Sequence, residues 1–274
     1  MDSIKQAVEL ARAAESASRQ SAVTGQSAGL PHSGSYSIPH AAQIRDVRLD
    51  PVHLEAARIV AHGASGEHGR YYDMLRTQVL QEMDKKSWQF LAVTSPTAAC
   101  GKTVTACNLA MSIARLPERS VLLVDLDLRK PMVADYLGLG EAGGVLNVLE
   151  GRATLQATVL QASIGPNNLL VLPGSAASSS SSEWMASQTM STLLEAIKRD
   201  FRSRIVIFDL PPLLLGDDVI SILPRMDAML LVAGVGSTSV SDIKESQKHL
   251  QRTPVVRVVV NKVTGTAASY YGYY

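Results

Sequence analysis

The sequence is poor in the features that mark several common classes of protein. It has two cysteines, Cys100 and Cys107, so neither a disulfide framework nor a zinc site is expected, and both are predicted to be small buried side chains. No apolar run approaches the roughly 18 residues of a membrane span, and no block of like charge accompanies the formal net charge of +1. We therefore expect a cytoplasmic chain that has no membrane span of its own and binds no nucleic acid.

Shifts in composition divide the sequence into three parts. Residues 1–43 combine a short helical pattern with a linker rich in Ser, Gly, Ala and Pro, and residues 44–264 have a globular composition. Residues 265–274 form a tail that holds four of the eight tyrosines, Tyr270, Tyr271, Tyr273 and Tyr274. Tyrosines near a terminus can pack on their domain, but termini of this composition are usually mobile, which favours a role as substrate.

The globular part contains six short apolar runs that do not alternate with polar residues. Strands that are apolar on both faces are typical of a parallel sheet buried between helices. Intervening stretches at 103–116 and 184–201 are long enough for crossover helices, and Ser182 is a candidate N-cap for the second. The sequence predicts an α/β fold, a mostly parallel sheet with helices on both faces, with strands at 90–93, 121–124, 169–172, 205–208, 228–232 and 255–260.

The first of these strands runs through a loop of small residues into a helix that begins with Gly101-Lys102-Thr103. Backbone N–H groups at such a helix start point toward an anion, the Lys102 ammonium can reach the β and γ phosphates, and the Thr103 hydroxyl can bind Mg²⁺. The strict pattern requires glycine where Pro96 stands, so the motif alone leaves a chance turn equally open. The predicted nucleotide-binding residues here are Ala98, Ala99, Cys100, Gly101, Lys102, Thr103 and Val104.

Three carboxylates at the ends of two further strands strengthen this interpretation. Asp125 and Asp127 follow the strand at 121–124, and Asp209 follows the strand at 205–208. Ligands of parallel sheets bind outside these strand ends, and Mg²⁺ takes one or two carboxylates together with phosphate and water. A magnesium–nucleotide site is therefore predicted. Asn261, after the last strand, is either an amide for the adenine edge or a polar loop start.

These motifs together resemble those of the bacterial tyrosine kinases of capsular and exopolysaccharide systems, and most of all the separately encoded autokinases. The resemblance rests on the phosphate loop, an Asp-x-Asp-x-Arg pattern at Asp125, Asp127 and Arg129, an Asp-x-Pro-Pro pattern at Asp209, and the terminal tyrosines. It implies a P-loop kinase domain over 44–264 that uses ATP and Mg²⁺ to phosphorylate the tyrosine cluster in trans. It also implies a homo-oligomer and a membrane polysaccharide co-polymerase that activates the kinase and recruits it to the inner face of the plasma membrane.

The resemblance assigns metal binding and base catalysis jointly to Asp125 and Asp127. Phosphoryl transfer depends mainly on positioning and electrostatics, so we predict that Lys102 and the loop amides neutralise the phosphates. Thr103, Asp125 and Asp209 are the predicted metal ligands, and Asp127 is the candidate base for the phenol. No core contact is foreseen for Lys102, so its removal is expected to leave thermal stability nearly unchanged.

The sequence departs from the family pattern in two places. Ala98-Ala99-Cys100 stands where the family usually has Pro-Gly-Glu, and if Ala99 adopts a positive φ the cost is about 1 kcal/mol. The helical Glu-x-x-Arg-x-x-Arg of the family, which mediates ring contacts, corresponds here to Arg70, Asp73 and Arg76, or alternatively to Glu67, Arg70 and Asp73. Ring assembly through this helix is therefore expected to be altered.

Two other functions are compatible with the same sheet. Partition and division-site-positioning ATPases share the Asp-x-Pro-Pro motif, but they usually carry a signature lysine at the position of Thr97. A nucleotide-sensing scaffold with weak catalysis is the third interpretation, and the Ala98-Ala99-Cys100 loop favours it. Detection of phosphotyrosine after incubation with ATP and Mg²⁺ separates the kinase from both alternatives.

Overall fold

An eight-stranded sheet runs through the part of the chain that the computed structural model describes, residues 44–63, 67–202, 204–251 and 253–263. The strand order is β1-β4-β5-β3-β6-β2-β7-β8, and every neighbouring pair is parallel except β4 and β5. The strands are β1 (Arg45–Arg48), β2 (Phe90–Thr94), β3 (Val121–Asp125), β4 (Leu160–Ile164), β5 (Asn167–Leu172), β6 (Ile205–Asp209), β7 (Ala228–Gly234) and β8 (Val255–Asn261).

Helices cover both faces of this sheet and divide the core into two apolar layers. One layer packs against the long helices α2 and α3, and the other packs against α8. The helices are α1 (Pro51–Ala56), α2 (Glu67–Lys86), α3 (Lys102–Ala114), α4 (Val133–Leu137), α5 (Val145–Leu149), α6 (Leu155–Thr158), α7 (Ser181–Ala186), α8 (Gln188–Asp200), α9 (Asp218–Ile222) and α10 (Val240–His249), with 3₁₀ turns at Leu213–Leu215 and Leu223–Arg225.

The predicted fold class is confirmed, and the strands that the sequence predicts are mostly buried, apart from β8, of which only Val256 is buried. Strands β2, β3, β6 and β7 are buried at every position, which is why they read as continuous apolar runs. The sequence did not reveal β1 or β4, because β1 is largely exposed and β4 alternates between buried and half-buried residues. In the described residues, no helix is long and apolar enough to cross a membrane.

The predicted crossover helix at 184–201 is two helices instead of one. Ser187 separates α7 from α8, and its hydroxyl accepts a hydrogen bond from the Met190 N–H at 3.0 Å. Ser187 therefore supplies the N-cap of the longer helix. The prediction of Ser182 as the cap was wrong, because Ser182 lies inside α7 and its hydroxyl accepts from Arg129 instead.

Two predicted segments lie outside the described residues. They are the N-terminal helix and linker at 1–43 and the tyrosine tail at 265–274. Their assignments, including the four tyrosines as phosphorylation sites, remain predictions from the sequence.

Candidate active site

The predicted catalytic residues meet where three neighbouring parallel strands end. Strand β6 lies between β2 and β3, and Asp125 and Asp209 are direct register partners at the ends of β3 and β6. Helix α3 begins at Lys102 directly after the loop that follows β2. The topology therefore brings Lys102, Thr103 and the carboxylates to one edge, which we call the carboxyl edge of the sheet.

Lys102 lies at the centre of this group. Its Nζ is 2.8 Å from Asp127 Oδ2 and 3.3 Å from Asp209 Oδ2, and Lys102 is 9% exposed. Thr103 Oγ1 donates to Asp209 Oδ2 at 2.6 Å. The expectation that Lys102 makes no internal contact was therefore wrong, because its ammonium compensates two buried carboxylates.

Burial and crowding shift the pKa values of this cluster. Burial, together with the negative charge of Asp209, raises the pKa of Asp125 to about 7. Burial also raises the pKa of Asp209, although Lys102 and the Thr103 hydroxyl partly oppose the shift. Burial disfavours the charged form of Lys102, but the neighbouring Asp209 and Asp127 outweigh it and raise its pKa above the usual range. The site is thus desolvated, and the Lys102 ammonium faces three carboxylates.

Asp125 makes backbone contacts that distinguish it from the other two carboxylates. Its Oδ1 accepts from the Asp127 N–H at 3.1 Å, and its Oδ2 accepts from the Met132 and Val133 N–H groups at 3.0 Å each. These bonds fix the turn that carries Asp127 into the site. The geometry therefore gives Asp125 a positioning role, and its assignment as a metal ligand remains a prediction.

The oxygen atoms present fit the chemistry of magnesium. Thr103 Oγ1 and Asp209 Oδ2 are hard donors only 2.6 Å apart, at the start of the helix that would face the phosphates. No cluster of three or more His, Cys, Asp or Glu residues that would hold a metal ion by itself occurs in the described ranges. Thr103 and Asp209 would thus hold Mg²⁺ together with phosphate oxygens.

The phosphate loop adopts the strained backbone that its sequence suggested. Ala99 has φ 59°, in the left-handed region, so the expected cost of its Cβ applies, and Gly101 has φ 92°. A Cβ on Gly101 would overlap the amide of Asn261. Asn261 Nδ2 donates to the Cys100 carbonyl at 3.0 Å, so this side chain supports the loop, and its contact with adenine remains a prediction.

Cys100 and Cys107 are both fully buried, as predicted. Burial opposes ionisation of Cys100, but hydrogen bonds from Thr238 and Thr97 outweigh it and lower its pKa. Cys100 Sγ lies 3.2 Å from Thr238 Oγ1, which joins the phosphate loop to the segment after β7. Burial raises the pKa of the Cys107 thiol, which lies in the apolar interior.

One of the two reversed charges of α2, that of Asp73, faces the neighbouring helix α3. Asp73 accepts from Arg115 Nη1 at 3.0 Å and from Arg76 Nη1 at 3.1 Å, and it also accepts from the Ser112 hydroxyl. Asp73 and Arg76 therefore join α2 to the end of α3, whereas Arg70 is exposed. The reversed charge of Asp73 thus serves a contact between helices within the chain.

Two residues near the site could not be assigned roles from the sequence. An added Cβ on Gly174 would overlap Pro131 and lie 3.1 Å from Asp125 Oδ2, so glycine is required beside the carboxylate. Asp218 accepts from Arg129 Nε at 2.9 Å and Nη2 at 2.7 Å. The sequence offered only two signals for these roles. One is that a glycine follows soon after a buried strand, and the other is the spacing of Asp218 from Asp209.

Comparison with known proteins agrees with this geometry. A family model described as the CobQ/CobB/MinD/ParA nucleotide binding domain matches residues 91–271. The chain belongs to this family. The match includes the phosphate loop and all three carboxylates, so a nucleotide-binding P-loop domain is established for the chain.

Named relatives within this nucleotide-binding family are tyrosine kinases. The chain is 26% identical over 209 residues to the tyrosine-protein kinase CpsD of Streptococcus agalactiae, covering 74% of this chain and 88% of that protein. It is 29% identical over 200 residues to the putative tyrosine-protein kinase EpsB of Ralstonia nicotianae, covering 73% of this chain but 26% of EpsB. The solved BceF tyrosine kinase domain superposes with a TM-score of 0.61 at 25% identity, covering 70% of this chain and 76% of that domain. The predicted resemblance is confirmed.

Proposed function

We infer that this chain is an ATP-dependent protein-tyrosine kinase of the bacterial type. The observation that carries this conclusion is the convergence of Lys102, Thr103, Asp127 and Asp209 around one desolvated point at the end of β6. The relatives that share the P-loop domain are named tyrosine-protein kinases. The resemblance of the motifs to capsular and exopolysaccharide kinases makes exopolysaccharide or capsule synthesis and export the process that this kinase regulates.

The arrangement supports a simple division of labour in phosphoryl transfer. Lys102 and the loop amides neutralise the phosphates of ATP, and the donors at the start of α3 orient them. The phenol oxygen of the acceptor tyrosine attacks the γ phosphorus, and the bond between this phosphorus and the oxygen that leaves with ADP breaks. Asp127 accepts the phenolic proton. Bound Mg²⁺ supplies further positive charge at the phosphates, held by Thr103 and Asp209, with Asp125 as a further candidate ligand.

The proposed acceptors are Tyr270, Tyr271, Tyr273 and Tyr274 of a second copy of the chain. Complete phosphorylation would change a neutral tail into one carrying about −6 to −8 charges. Asp125, Asp127 and Asp209 would repel such a tail after the nucleotide leaves, so phosphorylation would separate subunits that had assembled for transfer. A membrane polysaccharide co-polymerase is the proposed activator, and it would recruit the kinase to the inner face of the plasma membrane.

Incubation with ATP and Mg²⁺, followed by phosphotyrosine detection and mass spectrometry, tests the kinase assignment. We expect phosphate on the terminal tyrosines, with a rate that rises with protein concentration because transfer occurs between copies. ATP hydrolysis without phosphotyrosine would favour a partition-type ATPase instead. Nucleotide binding without either product would favour the weakly catalytic scaffold.

A variant with all four terminal tyrosines changed to Phe tests the acceptor assignment. We expect it to lose most phosphotyrosine, retain ATP binding and remain in the larger assembly. Tyr71 provides an internal comparison, because it is the exposed tyrosine of α2 at 51% exposure. Strong phosphorylation of Tyr71 in the variant would contradict the tail assignment while leaving the kinase assignment intact.

A further inference from the structure

A second candidate binding site lies at the opposite edge of the sheet, where β2, β6 and β7 begin. We call it the basic pocket. It is an open cavity of about 490 Å³, lined among others by Trp88, Gln89, Lys198, Arg202, Arg204 and Asp227. Because these residues precede or begin the strands, the basic pocket lies a full strand length away from Lys102 and the catalytic carboxylates.

The carboxylates of the basic pocket already have partners. Asp227 Oδ2 accepts from the Gln89 N–H at 2.9 Å and from the Phe90 N–H at 2.8 Å. Asp84, at the pocket wall, forms two hydrogen bonds with Arg119, at 2.9 Å and 2.7 Å. Both carboxylates are therefore held by groups of the protein other than the pocket cations.

The cations of the basic pocket are not compensated in the same way. Within the described ranges, none of Lys198, Arg202 and Arg204 forms an ion pair. The C-terminal dipole of α8 stabilises a cation at Lys198. Arg204 belongs to the segment that enters β6, so no helix dipole stabilises its charge. Three positive charges thus converge on one open cavity, which is suited to a ligand that carries a compact double negative charge.

The basic pocket also offers an aromatic surface. The indole of Trp88 is half-buried at its wall. An aromatic wall beside guanidinium groups suits a ligand that joins a ring to a phosphate. A phosphotyrosine has both groups, whereas inorganic phosphate lacks the ring.

We propose that the basic pocket binds phosphotyrosine from the C-terminal tail of this chain. The proposal rests on the proposed function, because that reaction makes the ligand. The residues that follow Val263 can span at most about 36 Å when fully extended, and the seven residues of β7 span about 23 Å. A tail that starts at the carboxyl edge can therefore reach this pocket on its own or a neighbouring copy. Phosphorylation would move the tail from an acidic edge to a basic one.

Binding of a synthetic peptide tests this without any kinase activity. The probe is the 265–274 sequence with phosphotyrosine at position 273, titrated into the full chain after phosphatase treatment. The sequence contains two tryptophans, so Trp184→Phe leaves Trp88 as the only indole reporter. We expect the phosphopeptide to change Trp88 fluorescence and to bind at least about tenfold more tightly than the unphosphorylated peptide.

A matched pair of double variants locates the site. Lys198→Gln with Arg204→Gln removes two pocket cations, and we expect it to weaken phosphopeptide binding about tenfold or more. Arg199→Gln with Lys248→Gln removes the same charge from exposed positions where each cation pairs with a neighbouring carboxylate, and we expect less than about a twofold change. Neither variant touches the catalytic group, so both should phosphorylate an added tyrosine peptide at the rate of the unmodified protein.

Three results would overturn the proposal. The first is equal affinity of the chain for the two peptides. The second is equal weakening of phosphopeptide binding by both double variants. The third is that the chain binds vesicles containing 30% phosphatidylglycerol but does not bind the phosphopeptide. If the chain bound vesicles, and only the variant with the Lys198 and Arg204 changes lost this binding, the pocket would be reassigned to the membrane. Because the probe is synthetic, loss of kinase activity in a separate assay would leave the outcome of this experiment unaffected.

Discussion

The two edges of the central sheet have opposite electrostatic character. At the carboxyl edge, three buried carboxylates surround the single ammonium of Lys102, whose Nζ is 2.8 Å from Asp127. At the basic pocket, Asp227 is held by two backbone N–H groups, and the cations Lys198 and Arg204 remain for a ligand. One edge needs positive charge from a metal and the other needs negative charge from a ligand.

The comparison also shows how differently the two edges are built. The carboxyl edge is desolvated, with Asp125 and Asp209 fully buried, so each charge there strongly changes the pKa of its neighbours. The cations of the basic pocket are on exposed or half-buried residues, so water and salt screen them. Substitutions at the carboxyl edge should therefore affect both chemistry and stability, whereas substitutions at the basic pocket should affect binding alone.

The largest expected effect comes from removing the cation that pairs with Asp127 and Asp209 at the carboxyl edge. Lys102→Met should lower the initial rate of autophosphorylation roughly 1,000-fold, because a charge that stabilises the transferred phosphoryl group is lost. It should also lower the free energy of unfolding by about 3 to 5 kcal/mol at pH 8, because two buried carboxylates lose their partner. Thermal unfolding measures the change in stability, and phosphotyrosine detection measures the change in rate. Unchanged stability would mean that the ion pairs contribute nothing net.

Removing a carboxylate from the same edge should separate chemistry from binding. Asp127→Asn keeps the shape of the side chain but removes the proton acceptor, so autophosphorylation should fall roughly 100-fold. Its effect on Mg²⁺–ATP affinity, measured by calorimetry, should be smaller than that of Lys102→Met. Equal losses of nucleotide affinity in the two variants would mean that Asp127 is a metal ligand first.

A change of pH should change the charge of Asp125 at the carboxyl edge. The pKa of Asp125 is raised to about 7, above the unfolded value, so its contribution to stability is fully present at low pH and is lost as pH rises through 7. Without nucleotide, the free energy of unfolding should fall by about 2 kcal/mol between pH 5 and pH 8.

The variant Asp125→Asn should flatten this slope, although losing a backbone acceptor would lower stability overall. Asp218 does not interfere. Burial opposes its ionisation, but the hydrogen bonds from Arg129 lower its pKa, so its contribution to stability is lost only in stronger acid. A slope that persists in the Asp125 variant would assign the titration to another group.

The smallest expected effect is the gain in stability when a residue with a strained backbone is replaced by Gly, and each edge has one such residue. Ala99 in the phosphate loop and Ser87 after α2 both have positive φ, at 59° and 55°. Replacement of either by Gly should stabilise the protein by up to about 1 kcal/mol, because the steric cost of a Cβ is removed. Only Ala99→Gly should also change nucleotide affinity. If Ser87→Gly changed nucleotide affinity equally, the effect could not come from the phosphate loop.

The sequence predicted the buried centre of the sheet and the edge strand β8, but not the opposite margin. Strands β2, β3 and β6 were foreseen because full burial leaves a continuous apolar run. Strands β1 and β4 at one side were missed, since a short strand with a mixed pattern resembles a loop. The break at Ser187 was also missed, because a serine within a helical pattern signals a cap only when its hydroxyl finds a backbone N–H.

Local spacing in the sequence determined which residues form the candidate active site. A loop of small residues before Gly101-Lys102-Thr103, and carboxylates directly after apolar strands, carry their meaning in a few adjacent positions. The positive φ of Ala99 was raised as a condition by the resemblance, because the family usually has Gly at this place, and the structure shows it at 59°.

Only the tertiary structure decided which of these charged groups contact each other. The order of β3, β6 and β2 places Lys102 between Asp127 and Asp209, and the turn after β3 occupies Asp125 with backbone N–H groups. The basic pocket likewise joins residues from the ends of helices and the starts of separate strands. Such groupings depend on distances between segments far apart in the chain, and the strength of each interaction depends on burial, which only the packed fold determines.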